Sequence, residues 1–376
     1  MALICLASIP VSNSQKFPTH SKIIGARFYE GENSHDITDF KSPRDSEGHG
    51  THTSSIAAGR EVAGASYFGL AEGTGKGGVP RVRIAMYKVC WSSECFSADI
   101  LAAFDYAIAD GVDIISLSFG SSSALPYFED SIAIGSFHAM RKGILTSASG
   151  GNSGPFPLTV SNYAPWILTV AASTIDRKFV AQVKLGNGRV YEVLTQKSQN
   201  CLTGSMNSYK VRGKIVFCET DGPGTGIRRA NGVGTIMAYP SIPDAASHYL
   251  FPATVISTED GLKVLEYIKS TDLDREPRAS ILVGETWKDA MAPNVVSFSS
   301  RGPNPMNPDV LTPDLTAPGV DIIAAWSPVA PPSPDPEDTR SVKYNIISGT
   351  SMSCPHGIGE VTNLASRTRL SSRLFP

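Results

Sequence analysis

Hydrophobic and polar positions follow two rhythms along this chain. Ala98 to Asp110 carries Ile100, Phe104, Ala107 and Ile108 at helical spacing, which predicts an amphipathic helix. Asp130 to Arg141, with Ala133, Phe137 and Met140 on one face, predicts a second. Apolar runs lie around them: Arg83 to Cys90, Val112 to Phe119, Ile144 to Ser147 and Trp166 to Ala171. Short runs bounded by glycine or polar residues read as buried strands. Strand and helix therefore take turns, the pattern of a parallel sheet with helices on both faces. Ligands of such sheets sit outside the carboxyl ends of strands, where the loops holding Gly120 and Asn152 fall. The small-residue run Thr51 to Ala58, stopped by Gly59, predicts one more helix.

From about Phe179 the texture changes. Gln182 to about Glu285 reads as short strands and turns, ending in the helix-like EDGLKVLEYIKS. This predicts a separate, mainly-β insert, after which the first pattern resumes at Ala292. Beyond His356 the sequence GIGEVTNLASRTRLSSRLFP is polar and basic. A short helix over Val361 to Leu370 is expected there, too poor in apolar residues for a core element.

Composition adds bounds. A chain of 376 residues has room for one large domain and a smaller one. Its net charge of −2 gives no electrostatic case for nucleic acid or an anionic membrane. No apolar run reaches membrane-spanning length. Met1 to Pro10 is apolar, but it is short and lacks a basic leading region, so it is not read as a signal peptide.

Three glycine-rich turns carry candidate chemistry: Gly48-His49-Gly50-Thr51-His52, Ser149-Gly150-Gly151-Asn152-Ser153-Gly154-Pro155, and Ser348-Gly349-Thr350-Ser351-Met352-Ser353-Cys354-Pro355-His356. A serine entering a helix meets unpaired N–H groups and the positive end of the dipole, which can stabilise an oxyanion. Thr350 can cap that helix. His49, between two small residues, suits a general base. Asn152 can supply an amide donor to a tetrahedral oxyanion. His52, one turn on, has no third ligand and reads as a packed, structural histidine. No Cys-x-x-Cys or histidine cluster suggests a metal.

These turns, with RDSEGHGTHTSSIAAG, RIAMYKVCW, DILAAFDYAIADGVDIISLSFG, SFSSRGPN and APGVDIIAAW, resemble the subtilisin-like serine proteases, most closely their plant cucumisin-like branch. The resemblance runs from Ser21 to His356. It implies a subtilisin-like α/β fold and serine endopeptidase chemistry by Ser351, His49 and Asn152, without a cofactor. It implies substrate pairing along Ser118, Phe119 and Gly120, with Ser149, Gly150 and Gly151 as the opposite pocket wall. It divides the chain into an unmatched 1–20, catalytic segments 21–181 and 286–356, an inserted protease-associated domain at 182–285, and a diverged tail at 357–376. It implies a peptide or protein substrate, with no nucleic acid and no membrane, and leaves self-association through the insert open. It also implies secretion. Six cysteines leave disulfides and buried thiols open; pairs like Cys90 with Cys95 and Cys201 with Cys218 are expected in the family. Cys354 is expected to be a buried thiol in the first helical turn.

One member is missing. The family's acid follows a hydrophobic strand as Asp-Thr-Gly or Asp-Ser-Gly, and no such tripeptide precedes His49. Asp36, Asp39 and Asp45 are the upstream aspartates, and no strand leads into Asp36 or Asp39. No triad aspartate is identified, the first core strand is expected to be absent, and the core reads as truncated at both ends. The expectation is a sheet with an unpaired edge and weak or no turnover. The rival is a pseudoprotease that binds peptides. An α/β-hydrolase is disfavoured, because no Gly-x-Ser-x-Gly elbow occurs and His precedes Ser.

Overall fold

A computed structural model describes residues 2–7, 21–31, 39–91, 94–121, 123–193, 201, 206–219, 224–239, 244–271 and 276–368. The chain forms two units, one from 1–175, 293–330 and 341–376, the other from 176–292 and 331–340. The first unit begins with β1 (Ala2–Ala7), β2 (Ile23–Phe28), α1 (His49–Ala58), β3 (Val62–Tyr67), β4 (Leu70–Gly75) and β5 (Arg83–Lys88). It continues with α2 (Ser97–Ala109), β6 (Ile114–Leu117), α3 (Ser131–Met140), β7 (Leu145–Ser149) and β8 (Leu168–Ser173). The second unit holds β9 (Arg177–Leu185), β10 (Val190–Val193), α4 (Ser208–Val211), β11 (Ile215–Cys218), α5 (Thr225–Arg229) and β12 (Gly234–Tyr239). It closes with β13 (Ala253–Ser257), α6 (Thr258–Ser270), β14 (Ala279–Ile281) and β15 (Glu285–Lys288). The chain then returns through β16 (Leu315–Pro318), β17 (Ile322–Ala325), β18 (Tyr344–Ile347) and α7 (Thr350–Thr368).

The main sheet of the first unit has the order β16-β8-β7-β6-β1-β5-β2. Its strands share one direction except β1, which runs antiparallel to both β5 and β6. Phe104, Ile115, Leu117 and Ile132 fill one face of the sheet beneath α2 and α3. On the other face Ile4, Ala57, Ala58, Ile84 and Ile358 join β1 to α1 and α7. The alternating pattern is thus an α/β fold with helices on both faces of a mainly parallel sheet.

Two expectations are corrected. The slot of a missing core strand is not vacant: Ala2–Ala7 fills it, pairing Ile4 with Met86 on one side and Ser116 on the other. Six apolar or small residues suit a strand buried on both faces, and Ile4 is fully buried. The serine helix is not cut short at His356 either. α7 runs on to Thr368, with Met352, Cys354 and Ile358 buried along it.

In the second unit β9 pairs with β10, β14 and β15, and β11-β12-β13 form a parallel sheet. Val183, Ile227, Met237, Val255, Ile256 and Val264 are its core. The expected helix at EDGLKVLEYIKS is α6, capped by Ser257 Oγ, which accepts from Asp260 N at 3.1 Å. Segment 331–340 belongs here: Thr225 Oγ1 donates to Asp335 at 3.0 Å, and Arg228 and Arg229 pair with Glu337. Disulfides join Cys90 to Cys95 and Cys201 to Cys218, while Cys354 is a buried free thiol. Among the described residues no helix is long and apolar enough to cross a membrane, and no acidic, cysteine or histidine group could hold a metal ion.

Candidate active site

His49 opens α1, two residues earlier than the small-residue run alone suggested. The turn before it needs glycine at position 48, where φ is +98° and a Cβ would collide with the Trp326 indole. Asp45 then folds back over the helix start. Its carboxylate accepts from Gly48 N at 2.8 Å and from Thr51 N and Oγ1, both at 2.6 Å. These are donors left unpaired by the helix geometry. Burial works against the Asp45 charge, but those bonds outweigh it and hold the carboxyl below its usual range. Burial lowers the His49 imidazole to about 4, with Asp45 pulling the other way. His49 is therefore neutral, and able to take a proton, near pH 7.

Ser351 lies in the first turn of α7, which packs beside α1. Its hydroxyl donates to the Ser118 carbonyl at 3.1 Å, and Ser118 Oγ donates to the Ser351 carbonyl at 2.9 Å. The second bond has a cause in the sequence. In a helix Ser351 O would accept from residue 355, but proline has no N–H. Ser118 supplies the donor that Pro355 lacks.

Asn152 follows β7 at the carboxyl end of the sheet. Its Oδ1 accepts from Thr350 N and Thr350 Oγ1, each at 2.9 Å. Asn152 thus caps the serine helix, a role that the sequence assigned to Thr350. The Thr350 hydroxyl instead ties that helix to the loop, accepting from Gly151 N at 3.1 Å. Fixing Oδ1 leaves Asn152 Nδ2 as a donor without a partner among the described residues, and the Ser351 N–H is a second. Ser300 buttresses the same loop: its N–H donates to Gly151 O at 2.9 Å, and its hydroxyl accepts from Ser153 N at 3.0 Å.

Ser118, Phe119, Gly120, Ser149, Gly151, Asn152 and Ser351 all line one cavity of about 470 Å³. Gly150 does not; its N–H and carbonyl are bonded to Val170 O and Ser161 N, both at 2.9 Å. His49 does not line it either. Among the described residues no hydrogen bond joins its ring to Ser351 or to a carboxylate. Asp39 is engaged elsewhere, accepting from Lys88 Nζ at 2.8 Å and Ser46 Oγ at 2.5 Å. Asp36 lies outside the described residues. His52 is buried, with Nε2 on the carbonyls of Ile322 and Asn345 at 3.0 and 3.2 Å. It is a packed, structural residue.

One organising residue carried no motif. Buried Asn162 donates through Nδ2 to Phe119 O at 2.9 Å and Ser149 O at 2.8 Å, bracing both walls of the cavity. A lone Asn in SNYAPW offers no signal by spacing, because its importance comes from two carbonyls distant in sequence.

A sequence model described as the Subtilase family matches residues 19–365. The chain is 44% identical over 375 residues to Subtilisin-like protease SBT4.15 of Arabidopsis thaliana, covering 90% of this chain and 48% of that protein. It is 44% identical over 393 residues to Subtilisin-like protease SBT1.5 of the same plant, covering 92% and 51%. It spans about half the length of the curated relatives it matches. Among solved structures, Sphericase is similar at a TM-score of 0.44 and 20% identity, covering 91% of this chain and 73% of that one.

Proposed function

Because this chain belongs to the subtilase family, we propose that it is a serine endopeptidase, with Ser351 as nucleophile, His49 as general base and Asn152 as oxyanion donor. The observation that carries this reading is the meeting of Ser351 and Asn152 at one cavity, each with an N–H left over. Ser351 Oγ, released from the Ser118 carbonyl, attacks the scissile carbonyl carbon while His49 takes its proton. Asn152 Nδ2 and the Ser351 N–H receive the oxyanion. The C–N bond breaks as His49 returns the proton to the leaving amine, and water hydrolyses the acyl-enzyme by the same route. The strand end Ser118 to Gly120 supports substrate pairing through backbone groups. A fluorophosphonate probe tests this. It should label the protein at Ser351 and lose that label in Ser351→Ala.

A second reading has an observation of its own. No carboxylate bonds the His49 ring among the described residues, and loss of the acid in subtilisin itself costs about 3 × 10⁴ in turnover. A peptide-binding pseudoprotease follows if folded protein stays unlabelled. The second unit fits a protease-associated domain, a site for interaction or substrate access, since its sequence carries no nucleophile and base in a catalytic context. Two disulfides support an oxidising, secretory destination.

A further inference from the structure

The cavity shared by Ser351 and Asn152 is walled by hydroxyls, backbone, and the side chains of Leu158, Val160 and Tyr163. Among its described lining residues Asp130 alone carries a charge. Asp130 is there because it caps α3, with Oδ1 accepting from Ile132 N at 2.8 Å. The Ala133 N–H also acts on the carboxylate, and two such donors still leave acceptor capacity over, since an ionised carboxylate offers about four lone-pair sites. No cation pairs with it among the described residues. Burial pushes its carboxyl up from the usual range, and N–H groups of the helix start oppose that.

We propose that this cavity takes the cationic side chain of a peptide, lysine or arginine, and that Asp130 is the residue that reads it. The proposal rests on the proteolytic reading of Ser351 and names its substrate class: polypeptides that present a basic residue to the cavity. A carboxylate in a specificity pocket selects a cation because the charge-assisted bond forms only with that partner. A neutral side chain leaves a partly desolvated anion unpaired, and an acidic one is repelled. The cavity volume of about 470 Å³ has room for a long basic side chain.

The test uses the full chain and 4-aminobenzamidine, whose fluorescence rises in an apolar pocket, with benzamide as a neutral competitor. Asp130→Asn removes the charge but keeps a good helix cap. If that variant fails to fold by circular dichroism, Asp130→Ser serves instead. Wild type should bind the amidine about tenfold more tightly than the variant, and benzamide should compete equally weakly in both. Equal amidine affinity overturns the proposal. A second measurement is protection of Ser351 from the fluorophosphonate by matched peptides differing only in lysine or norleucine. The lysine peptide should protect wild type better than the variant, and equal protection counts against the proposal. If Ser351 is never labelled but amidine binding still depends on Asp130, the proteolytic reading fails while the cation site stands. Labelling without charge discrimination sinks the cation site alone.

Discussion

Asp45 shows how much one side chain outside the motif's named chemistry can hold. It satisfies three backbone donors, those of Glu47, Gly48 and Thr51, and a hydroxyl around the start of α1, and it is the carboxylate that pulls on His49. Asp45→Ala should cost about 1 kcal/mol of stability, measured by denaturant unfolding. It should also move the His49 titration, followed by NMR, still lower, since the charge favouring imidazolium is gone. Ser118→Ala should cost about 1–3 kcal/mol by leaving the Ser351 carbonyl without a donor. Adding Pro355→Ala restores an N–H at the right helical spacing, so the double variant should recover part of that loss. If the two costs simply add, the link between them is wrong. At this scale the sequence was legible in that two motifs far apart along the chain, those of Ser351 and Asn152, line one cavity. It was silent on Asn162, whose partners are carbonyls of other loops, and it misread Thr350 because a cap and a loop tie use the same hydroxyl.

Among the elements, α2, α3 and β5 to β8 were readable within a few residues, because each buries a strongly periodic or continuous apolar face. β1 was not. Its six small and apolar residues match no motif, and nothing local says that they enter a sheet between β5 and β6 in reverse. The extension of α7 was missed for a different reason. It packs through glycine: a Cβ at Gly359 would lie 3.1 Å from the Gly78 Cα, and one at Gly357 3.1 Å from a Val170 methyl. Close backbone approach at both glycines leaves Ile358 as the single large apolar side chain between them. β1 offers the sharper test. Ile4→Pro removes a ladder donor from a strand paired on both sides and should abolish cooperative unfolding. A thermal transition unchanged from wild type would mean that the strand is dispensable.

For the molecule as a whole, three histidines set an acid limit: His52, which is buried, and His49 and His248, which are half-buried. Burial lowers His49 and His248 to about 4 and His52 to about 3. An unfolded histidine binds its proton near pH 6.5, so below that pH the unfolded state takes up protons first. The stability these groups contribute is complete above about 6.5 and drains away as pH falls toward 4, then 3. Tm measured by circular dichroism should therefore fall from pH 7 to pH 5, and His52→Gln should flatten part of that slope. The two-unit division was only half legible. A change of texture marks 182–285, but PPSPDPEDTR at 331–340 looks like any surface loop until Glu337 meets Arg228 and Arg229. That meeting has an engineering corollary: the smaller unit is not a cassette. Excising 176–292 as one continuous piece would leave behind the acidic decapeptide, strip two arginines of their counter-charge, and yield a graft that is born incomplete.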